Sequence, residues 1–258
     1  MRVIQHTVSC VVVLYDELTG RPVNSGTFEV RNQMGQQAVY KENGIYVFIG
    51  ESSGEMVITI KGTGYQERNI TVKIEDELFI QTIWMMPSIK HTALGRTTIL
   101  TGTAAPHAEV KFILHQTELT YRLLTNLEQG DTHINLYHLP YDFILGREFR
   151  IGDISGKQFE DIIVMGEEQE GEVDGTNGFR LKRPAKLSHI AEKAKIHRIS
   201  SVTADGAGEF FILFRDVPVS GCRCTIETEG KTLETNLTYK QTKRCEIKKA
   251  GEVDLSEE

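Results

Sequence analysis

The chain has 258 residues, of which 40% are hydrophobic and 25% charged, and its formal net charge at pH 7 is −7. This balance argues against a nucleic-acid binder that works through a general basic surface. The length fits one large domain or two to three small ones. No segment approaches the ~20 consecutive apolar residues of a membrane span. We therefore expect a soluble protein, made in the cytoplasm without a signal peptide.

The first block runs from about Thr7 to Pro87 and has the pattern of roughly seven short strands with frequent turns. A β-rich run from Val8 to Tyr15 starts it. Asn43-Gly44 is a strong signal for a tight hairpin. Between Met56 and Lys61, apolar and polar residues alternate as in a half-buried strand. With no helical period between these elements, the predicted fold is an antiparallel β-sandwich.

Short motifs in this block resemble the carboxypeptidase regulatory-like, or transthyretin-like, sandwich family. They are D-x-x-T-G-x-P-V from Asp16 to Val23, G-x-Y-x-F from Gly44 to Phe48, and a strand from the Val57 or Ile58 region that leads into Gly64-Tyr65. The resemblance implies an accessory or connecting domain, here residues 1–88, without an active site of its own.

A second sandwich of the same kind is predicted after a linker-like stretch. The pattern G-x-x-x-P-x-A-x-V, from Gly102 to Val110, resembles the opening of such a domain. The expected continuation, D-G-x-G-x-F, appears much later, from Asp205 to Phe210. We therefore predict a split sandwich, residues 95–117 and 200–249, with residues 118–199 inserted at a loop tip. Two unrelated small domains are the alternative. Residues 250–258 are predicted to be a disordered acidic tail.

The inserted segment is predicted to be a small β module. Strands are expected around a Gly130-Asp131 turn, at His133–Tyr137, and where Phe149 and Ile151 alternate with Arg150. A short helix or a loop is expected between Pro184 and the last strand. The segment resembles a β module of phage tail and tail-like proteins in four patterns: G-D-x-x-I-x-L from Gly130, G-x-x-F-x-I-G from Gly146, E-x-I-x-V from Glu160 and F-x-L-x-x-P-x-x-x-x-H from Phe179.

No catalytic, cofactor-binding or metal-binding residue is predicted, and we expect no cofactor and no enzymatic activity. The sequence has no G-x-S-x-G elbow and no phosphate-binding loop followed by a helix. Lys61–Tyr65 contains two glycines but has the character of a hairpin turn.

Four cysteines, Cys10, Cys222, Cys224 and Cys245, are too few for a disulfide scaffold at this length. Cys222 and Cys224 share one face of a strand. Together with Cys245 they offer three thiolates, but a fourth ligand is not evident. Buried or free thiols are therefore the favoured interpretation over a metal site.

The remaining polar clusters are interpreted as surface features. His133, His138, His189 and His197 are expected at the surface or in turns. An acidic run is expected to form a solvated loop, and whether segment 160–174 binds an ion stays open. It pairs either with a basic run in the same chain, the simpler hypothesis, or with the equivalent run of a neighbouring copy. The acids are Glu160, Asp161, Glu167, Glu168, Glu170, Glu172 and Asp174, and the bases are Arg180, Lys182, Arg183, Lys186, Lys193, Lys195 and Arg198.

Aromatic residues are assigned to the cores. Trp84 is expected to pack at a domain edge, and Phe210 and Phe214 to share a strand face from which Phe211 points away.

The sequence as a whole suggests a non-catalytic structural or adaptor subunit of a phage tail-like assembly of the contractile injection type, within a virion-like or released particle. It would act through protein partners or as a homo-oligomer. An adhesin-like or carbohydrate-binding sandwich module is the alternative.

Overall fold

The computed structural model describes residues 8–23, 28–50, 54–74, 80–91, 97–115, 121–138, 144–153, 158–167, 178–215 and 217–247. Within these ranges the chain forms 20 β-strands and no helix. The predicted all-β class is confirmed. The chain divides into two compact units, Met1–Leu94 and Gly95–Glu258.

The first unit contains eight strands in two sheets. One sheet has the order β2-β1-β5-β4, with β8 also paired to β1, and the other has the order β3-β6-β7. The strands are β1 (Val8–Asp16), β2 (Arg21–Pro22), β3 (Phe28–Asn32), β4 (Val39–Tyr40), β5 (Ile45–Ile49), β6 (Gly54–Gly62), β7 (Arg68–Ile74) and β8 (Ile80–Met85).

The core of the first unit lies between its two sheets. Alternating residues of β1 and β5, such as Val12 and Phe48, share one buried cluster with Val30 of β3 and Ile58 of β6. This is the arrangement that alternating strands give when two sheets pack face to face. Trp84 is buried as expected, with its ring centroid 5.1 Å from that of Tyr15.

Two of the sequence motifs of this unit meet at Asp16. Its Oδ1 accepts a hydrogen bond from the Leu18 amide at 2.8 Å, and its Oδ2 accepts one from the Thr19 hydroxyl at 3.0 Å. Burial, the Asp16 charge and a hydrogen bond with Asp16 together raise the pKa of Tyr65. The aspartate of the first motif therefore fixes its own turn and also holds the tyrosine that ends the last motif.

The Asn43-Gly44 hairpin is confirmed. Asn43 has φ 51° and Gly44 has φ 74°, as a type I′ turn requires. The turn joins β4 to β5, which pair antiparallel.

The second unit contains twelve strands. A three-stranded sheet has the order β17-β9-β20, and a nine-stranded sheet has the order β11-β12-β15-β14-β13-β16-β10-β18-β19. The strands are β9 (Thr98–Thr103), β10 (Glu109–His115), β11 (Arg122–Leu123), β12 (His133–Tyr137), β13 (Glu148–Gly152), β14 (Phe159–Glu167), β15 (Gly178–Leu181), β16 (Lys195–Thr203), β17 (Glu209–Phe214), β18 (Cys222–Thr228), β19 (Lys231–Leu237) and β20 (Thr242–Glu246).

One side of the nine-stranded sheet packs on the buried cluster of the inserted strands and also on β17. Ile196, near the start of β16, belongs to the buried cluster of the inserted strands, together with Phe149 and Phe179. Farther along β16, Val202 pairs with Val110 of β10. On the same side of β10, Phe112 packs on Phe210 and Phe214 of β17, and the ring centroids are 5.7 and 5.9 Å apart. We call this the inner side of the sheet.

Strand pairing brings distant parts of the chain together. β9 pairs antiparallel with β17, so that Gly102 lies opposite Phe210. β10 pairs with β16 on one side and β18 on the other. These pairings join strands that precede residues 118–199 to strands that follow them. The predicted boundaries of the domains themselves remain predictions.

Two strand pairings differ from a purely antiparallel sandwich. β8 runs parallel to β1, and β20 runs parallel to β9. In each unit the last strand thus lies beside the first one. A parallel pair needs a long connection, and here nearly the whole unit serves as that connection.

Candidate functional site

The outer side of the nine-stranded sheet carries a cluster of five charged side chains, which we call the charge lattice. Lys111 lies on β10, Glu148 and Arg150 on β13, Asp161 on β14, and Glu227 on β18. Strands β13 and β14 belong to the inserted segment, whereas β10 and β18 belong to the predicted sandwich. The lattice therefore lies across the junction of the two.

Arg150 is the centre of the charge lattice. Its Nε and Nη2 donate to the two carboxylate oxygens of Asp161 at 2.8 and 3.0 Å. Its Nη1 and Nη2 donate to Glu227 at 2.5 and 2.8 Å. The guanidinium carbon lies 4.3 Å from the centre of the Phe159 ring. Burial opposes the charge, but the hydrogen bonds with the two carboxylates outweigh it and raise the pKa of Arg150. Two bidentate pairs are the geometry in which a guanidinium binds carboxylates most strongly.

Lys111 forms the second connection across the junction. Its Nζ lies 2.6 Å from Glu148 Oε1 and 3.5 Å from Asp161 Oδ2. Burial disfavours the charged amine, yet the hydrogen bond with Glu148 and the nearby acids raise its pKa. These side chains are about one quarter exposed, so each pair is less screened by water than a fully exposed one.

The lattice spans strands that are not neighbours. β16 lies between β10 and β13, and both β16 and β10 lie between β13 and β18. On the outer side of these intervening strands, Ile113 and Ile199 are almost completely buried, at 0% and 5% exposure. Adjacent strands are ~4.8 Å apart, so the side chain of Arg150 must reach over this apolar strip to meet Glu227. The aliphatic parts of long cationic side chains commonly cover apolar surface in this way.

Two histidines lie beside the charge lattice. His115 ends β10, His197 lies on β16, and their ring centroids are 4.7 Å apart in an edge-to-face arrangement. Nε2 of His115 is 2.7 Å from the Thr225 hydroxyl. Burial and nearby cations lower the pKa of both histidines to about 4, so both rings are neutral at pH 7. The expected surface position of His197 is therefore corrected to a half-buried one.

The prediction that His189 lies at the surface is also wrong. His189 is buried, and its Nε2 lies 3.1 Å from Oε1 of Glu160. Glu160 also accepts hydrogen bonds from the amides of Lys186 and Leu187. A buried carboxylate with three partners is satisfied, and it fixes the segment that precedes β16. His133 is exposed as expected, and His138 contacts the Phe179 ring.

The predicted acidic loop begins later than expected. Glu160 and Asp161 lie inside β14, because the run from Phe159 to Val164 alternates as a strand. Asp161 pairs with Arg150 and Lys111, which are not members of the predicted basic run. Glu167 ends β14, and the remaining acids, Glu168, Glu170, Glu172 and Asp174, lie outside the described residues, so ion binding by segment 160–174 stays open. Lys186, a member of the predicted basic run, contacts Glu160 only through its backbone amide, which donates a hydrogen bond to the carboxylate.

The four cysteines are buried and unpaired. Burial raises the pKa of Cys10 to about 11 and that of Cys245 to about 12. It also raises the pKa of Cys222 and Cys224. Among the described residues, no group of three His, Cys, Asp or Glu side chains could hold a metal ion. Buried thiols with raised pKa are poor nucleophiles.

The charge lattice could not be found by motif. Arg150 and Glu227 are 77 positions apart in the sequence, and only strand order and register bring them together. A weak signal was present, since Arg150 is the polar residue between the apolar residues Phe149 and Ile151 in the inserted segment. Polar residues at outer positions of a strand are ordinary, however, and do not indicate a partner.

No helix among the described residues is long and apolar enough to span a membrane.

Comparison with known proteins gives distant structural similarity only. No protein-family model matches the chain, and no curated protein matches it. A solved structure of the shaft pilin SpaA from Lactobacillus rhamnosus GG is 11% identical, with 98% of each chain covered and a TM-score of 0.25. The major pilin subunit BcpA of Bacillus cereus is 13% identical over 91% of this chain and 69% of that one, with a TM-score of 0.23. A DUF3823 family protein from Bacteroides ovatus is 12% identical over 90% and 96% of the two chains, with a TM-score of 0.24. Values this low assign neither a family nor an activity.

Proposed function

We propose that the chain is a non-catalytic structural or adaptor subunit that acts through protein–protein contacts. In this proposal the two sandwiches are spacers, and the inserted β module presents the contact surface. The observation that carries it is the position of the inserted strands. β13 pairs directly with β16, which pairs with β10, so the insertion extends the sheet of the sandwich and is not a loosely tethered lobe.

The charge lattice supports this proposal because it ties inserted strands to sandwich strands. A contact surface transmits position or load only when it is held rigidly by the domain beneath it. Lys111–Glu148 and Arg150–Glu227 both join the two parts. The polar groups of the lattice are thereby engaged with one another, and the thiols of the chain are buried. Both facts favour a structural role over a catalytic one.

Exposed apolar side chains of the insertion are the first candidates for contact. Leu124 is 39% exposed, Tyr137 38% and Ile190 51%. Leu124 follows β11, Tyr137 ends β12, and Ile190 lies in the segment tied to Leu127 by backbone hydrogen bonds. Exposed aromatic and aliphatic residues that lie on a rigid support are typical anchors of protein interfaces.

The finer proposal is a place in a phage tail-like assembly of the contractile injection type. Its support is the sequence resemblance of the segment from Gly130 to His189 to a β module of tail and tail-like proteins. The carboxypeptidase regulatory-like resemblance of residues 1–88, which implies a connecting domain, is compatible with it. Genes for sheath, tube and baseplate proteins next to the gene for this chain are the expected finding, and their absence would remove the finer proposal alone.

Contact through the insertion is tested with matched surface variants. The full chain, tagged and expressed in its native source, is expected in a complex of higher mass than the monomer, by light scattering after affinity purification. Leu124→Asp with Ile190→Asp is expected to release it from that complex. Val219→Asp is the control, because Val219 is 84% exposed but lies between β17 and β18 of the sandwich.

A monodisperse monomer at high concentration, with no partner recovered, would contradict the proposal. Equal loss of the complex in the insertion variant and in the Val219→Asp control would locate the contact elsewhere. Circular dichroism of each variant shows whether the fold is retained, so that unfolding is not mistaken for loss of contact.

The alternative is an adhesin-like or carbohydrate-binding module. Exposed aromatic rings of Tyr40, Tyr137 and Phe159 are the observation in its favour, since sugars stack on such rings. It predicts binding on a glycan array that is lost when these rings are replaced by alanine. An empty array would leave the structural proposal in place.

A further inference from the structure

The His115–His197 pair lies at the junction between the inserted strands and the sandwich. His115 is on β10 and His197 is on the neighbouring strand β16, and both rings lie on the outer side of the sheet. Their centroids are 4.7 Å apart. His197 is also the direct register partner of Arg150 on β13. The pair is thus in contact with the same strands that the charge lattice joins.

Charged groups face this pair from every strand around it. Three cations, Arg150, Lys195 and Arg223, are close enough to lower the pKa of both rings. Arg150 is neutralised by Asp161 and Glu227, and Arg223 by Glu234 at 3.5 Å. The charged groups on the outer side of these strands are Lys111 and Glu109 on β10, Glu148 and Arg150 on β13, Asp161 on β14, Lys195 on β16, Arg223 and Glu227 on β18, and Glu234 on β19.

A proton on either ring would create a positive charge in unfavourable surroundings. The first reason is burial, which removes water from the imidazolium. The second is the nearby cations, and the third is the other ring, since two imidazoliums 4.7 Å apart repel each other. The two rings are therefore stable together only as long as both are neutral.

We propose that the His115–His197 pair makes the junction of the inserted strands and the second sandwich sensitive to acid. Protonation separates β10, β16 and β13 on their outer side and frees the inserted module, while the first unit is unaffected. The inserted module is then held firmly at neutral pH and loosely at acidic pH. This device goes beyond the proposed contact function, because it does not depend on what the insertion contacts.

The sign of the pH effect follows from the difference between the closed and open states. In the closed sheet each ring has a pKa of about 4, whereas a ring exposed by opening returns to 6.5. The open state therefore binds more protons between these two values. Stability of the junction is fully present above pH 6.5 and falls as the pH decreases through this window to about 4. Below it, both states are protonated and the loss is complete.

Amide hydrogen exchange on the full chain tests the device. Protection is compared at pH 7 and pH 5, after correction for the intrinsic exchange rate. For peptides that cover β10, β13 and β16, the equilibrium constant for opening is expected to be at least about tenfold larger at pH 5 than at pH 7. Each unit of difference in pKa between the closed and open states corresponds to a tenfold change per ring. Peptides from β6 and β7 of the first unit serve as the internal reference and are expected to keep their protection.

The variant that removes the effect is His115→Gln with His197→Gln, since glutamine is polar but does not titrate in this range. Its protection at the junction is expected to be independent of pH, while the control His133→Gln, at an exposed position of β12, keeps the response of the parent chain. The same pH response in the double variant would overturn the proposal.

A second measurement does not depend on any variant. Titration of the imidazole protons by NMR in the parent chain gives the pKa of each histidine directly. Two values well below that of a free histidine agree with the proposal, and values near 6.5 for both rings would overturn it even if the double variant failed to fold.

Discussion

In the first unit, β1 pairs with antiparallel β5 and parallel β8, and in the second unit β9 pairs in the same way with β17 and β20. The opposing sheets also correspond, with the order β3-β6-β7 in one unit and β10-β18-β19 in the other. The two units thus share one strand arrangement. They differ between the second and third of these corresponding strands, where the first unit has only β4 and the second has β11 to β16.

The correspondence extends to single residues. The amide of Leu14 donates to the carbonyl of Gly44 at 2.9 Å, and the amide of Ala104 donates to that of Gly208 at 2.8 Å. Two residues later in each strand, Tyr46 lies opposite Val12 and Phe210 lies opposite Gly102. One connection therefore holds only β4 in the first unit and β11 to β16 in the second, while a glycine of positive φ and its hydrogen bond to the first strand are the same in both. What changes is the packing around that glycine.

The largest expected effect is at the position where the two units pack differently. A side chain at Gly102 would place its Cβ 2.1 Å from the backbone oxygen of Cys245 and 2.6 Å from the Phe210 ring. Gly102→Val is expected to destabilise the second unit by about 3 kcal/mol or more, although valine is the native residue at the corresponding position 12. Urea unfolding with hydrogen exchange to assign the unit measures it.

The reverse change at the corresponding position provides the control. Val12→Gly should destabilise the first unit by about 2–3 kcal/mol, through lost burial and added backbone freedom. If Gly102→Val proved harmless, the difference in packing between the two units at this position would have to be abandoned.

The second effect concerns the glycines that the units have in common. Gly44 has φ +74° and Gly208 φ +84°, and a Cβ on either would lie 2.5 or 2.4 Å from a backbone oxygen. Gly44→Ala and Gly208→Ala are each expected to cost about 2 kcal/mol, from left-handed backbone strain and the close contact. Equal losses in thermal unfolding would strengthen the comparison, and a difference of more than ~1 kcal/mol would weaken it.

A third, smaller effect distinguishes the units by their charges. Arg150→Met removes the bidentate partner of two partly buried carboxylates, Asp161 and Glu227, and leaves Asp161 with only the longer contact to Lys111. It is expected to cost about 1–2 kcal/mol, since the lattice is only partly exposed. Arg31→Met is the control, because the Arg31–Glu29 pair of the first unit is about half exposed, and it should change stability by at most ~0.5 kcal/mol. A similar loss for both variants in denaturant titrations would remove the special role of the lattice.

The smallest effect is at a hairpin. In the first unit the β4–β5 turn uses Asn43-Gly44, whereas the β18–β19 turn of the second unit uses Glu229-Gly230, with Glu229 at φ 42°. Asparagine adopts this conformation more readily than glutamate. Glu229→Asn is therefore expected to stabilise the second unit by about 0.5 kcal/mol, and a decrease in its melting temperature would contradict this.

Local features of the fold could be predicted from the sequence. Asn43-Gly44 marked a hairpin because both residues of a type I′ turn need positive φ. The alternation around Phe149 and Ile151 marked β13 because one side of that strand faces a core. The likeness of Asp205–Phe210 to the missing half of a sandwich rested on the same kind of local pattern.

Non-local features could not be predicted in this way. The parallel position of β8 and β20 depends on how a whole unit closes, and no local pattern records it. The burial of His189 depends on Glu160, which lies 29 positions away. The junction of Arg150 with Glu227 requires the order of four strands and their register. The candidate site therefore follows from topology, whereas the strands that carry it follow from sequence pattern.

The position of β20 beside β9 has a consequence for synthesis on the ribosome. The Thr98 hydroxyl donates to the Thr238 carbonyl at 2.8 Å, across 140 positions of the chain. β9 is the first strand of the second unit, but its two partners are β17 and β20, which come late in that unit. Its edges stay unpaired until almost all of the second unit has been translated. Such long-range closure makes folding slow and leaves nascent strands open to wrong pairing, so chaperone demand should be concentrated on the second unit.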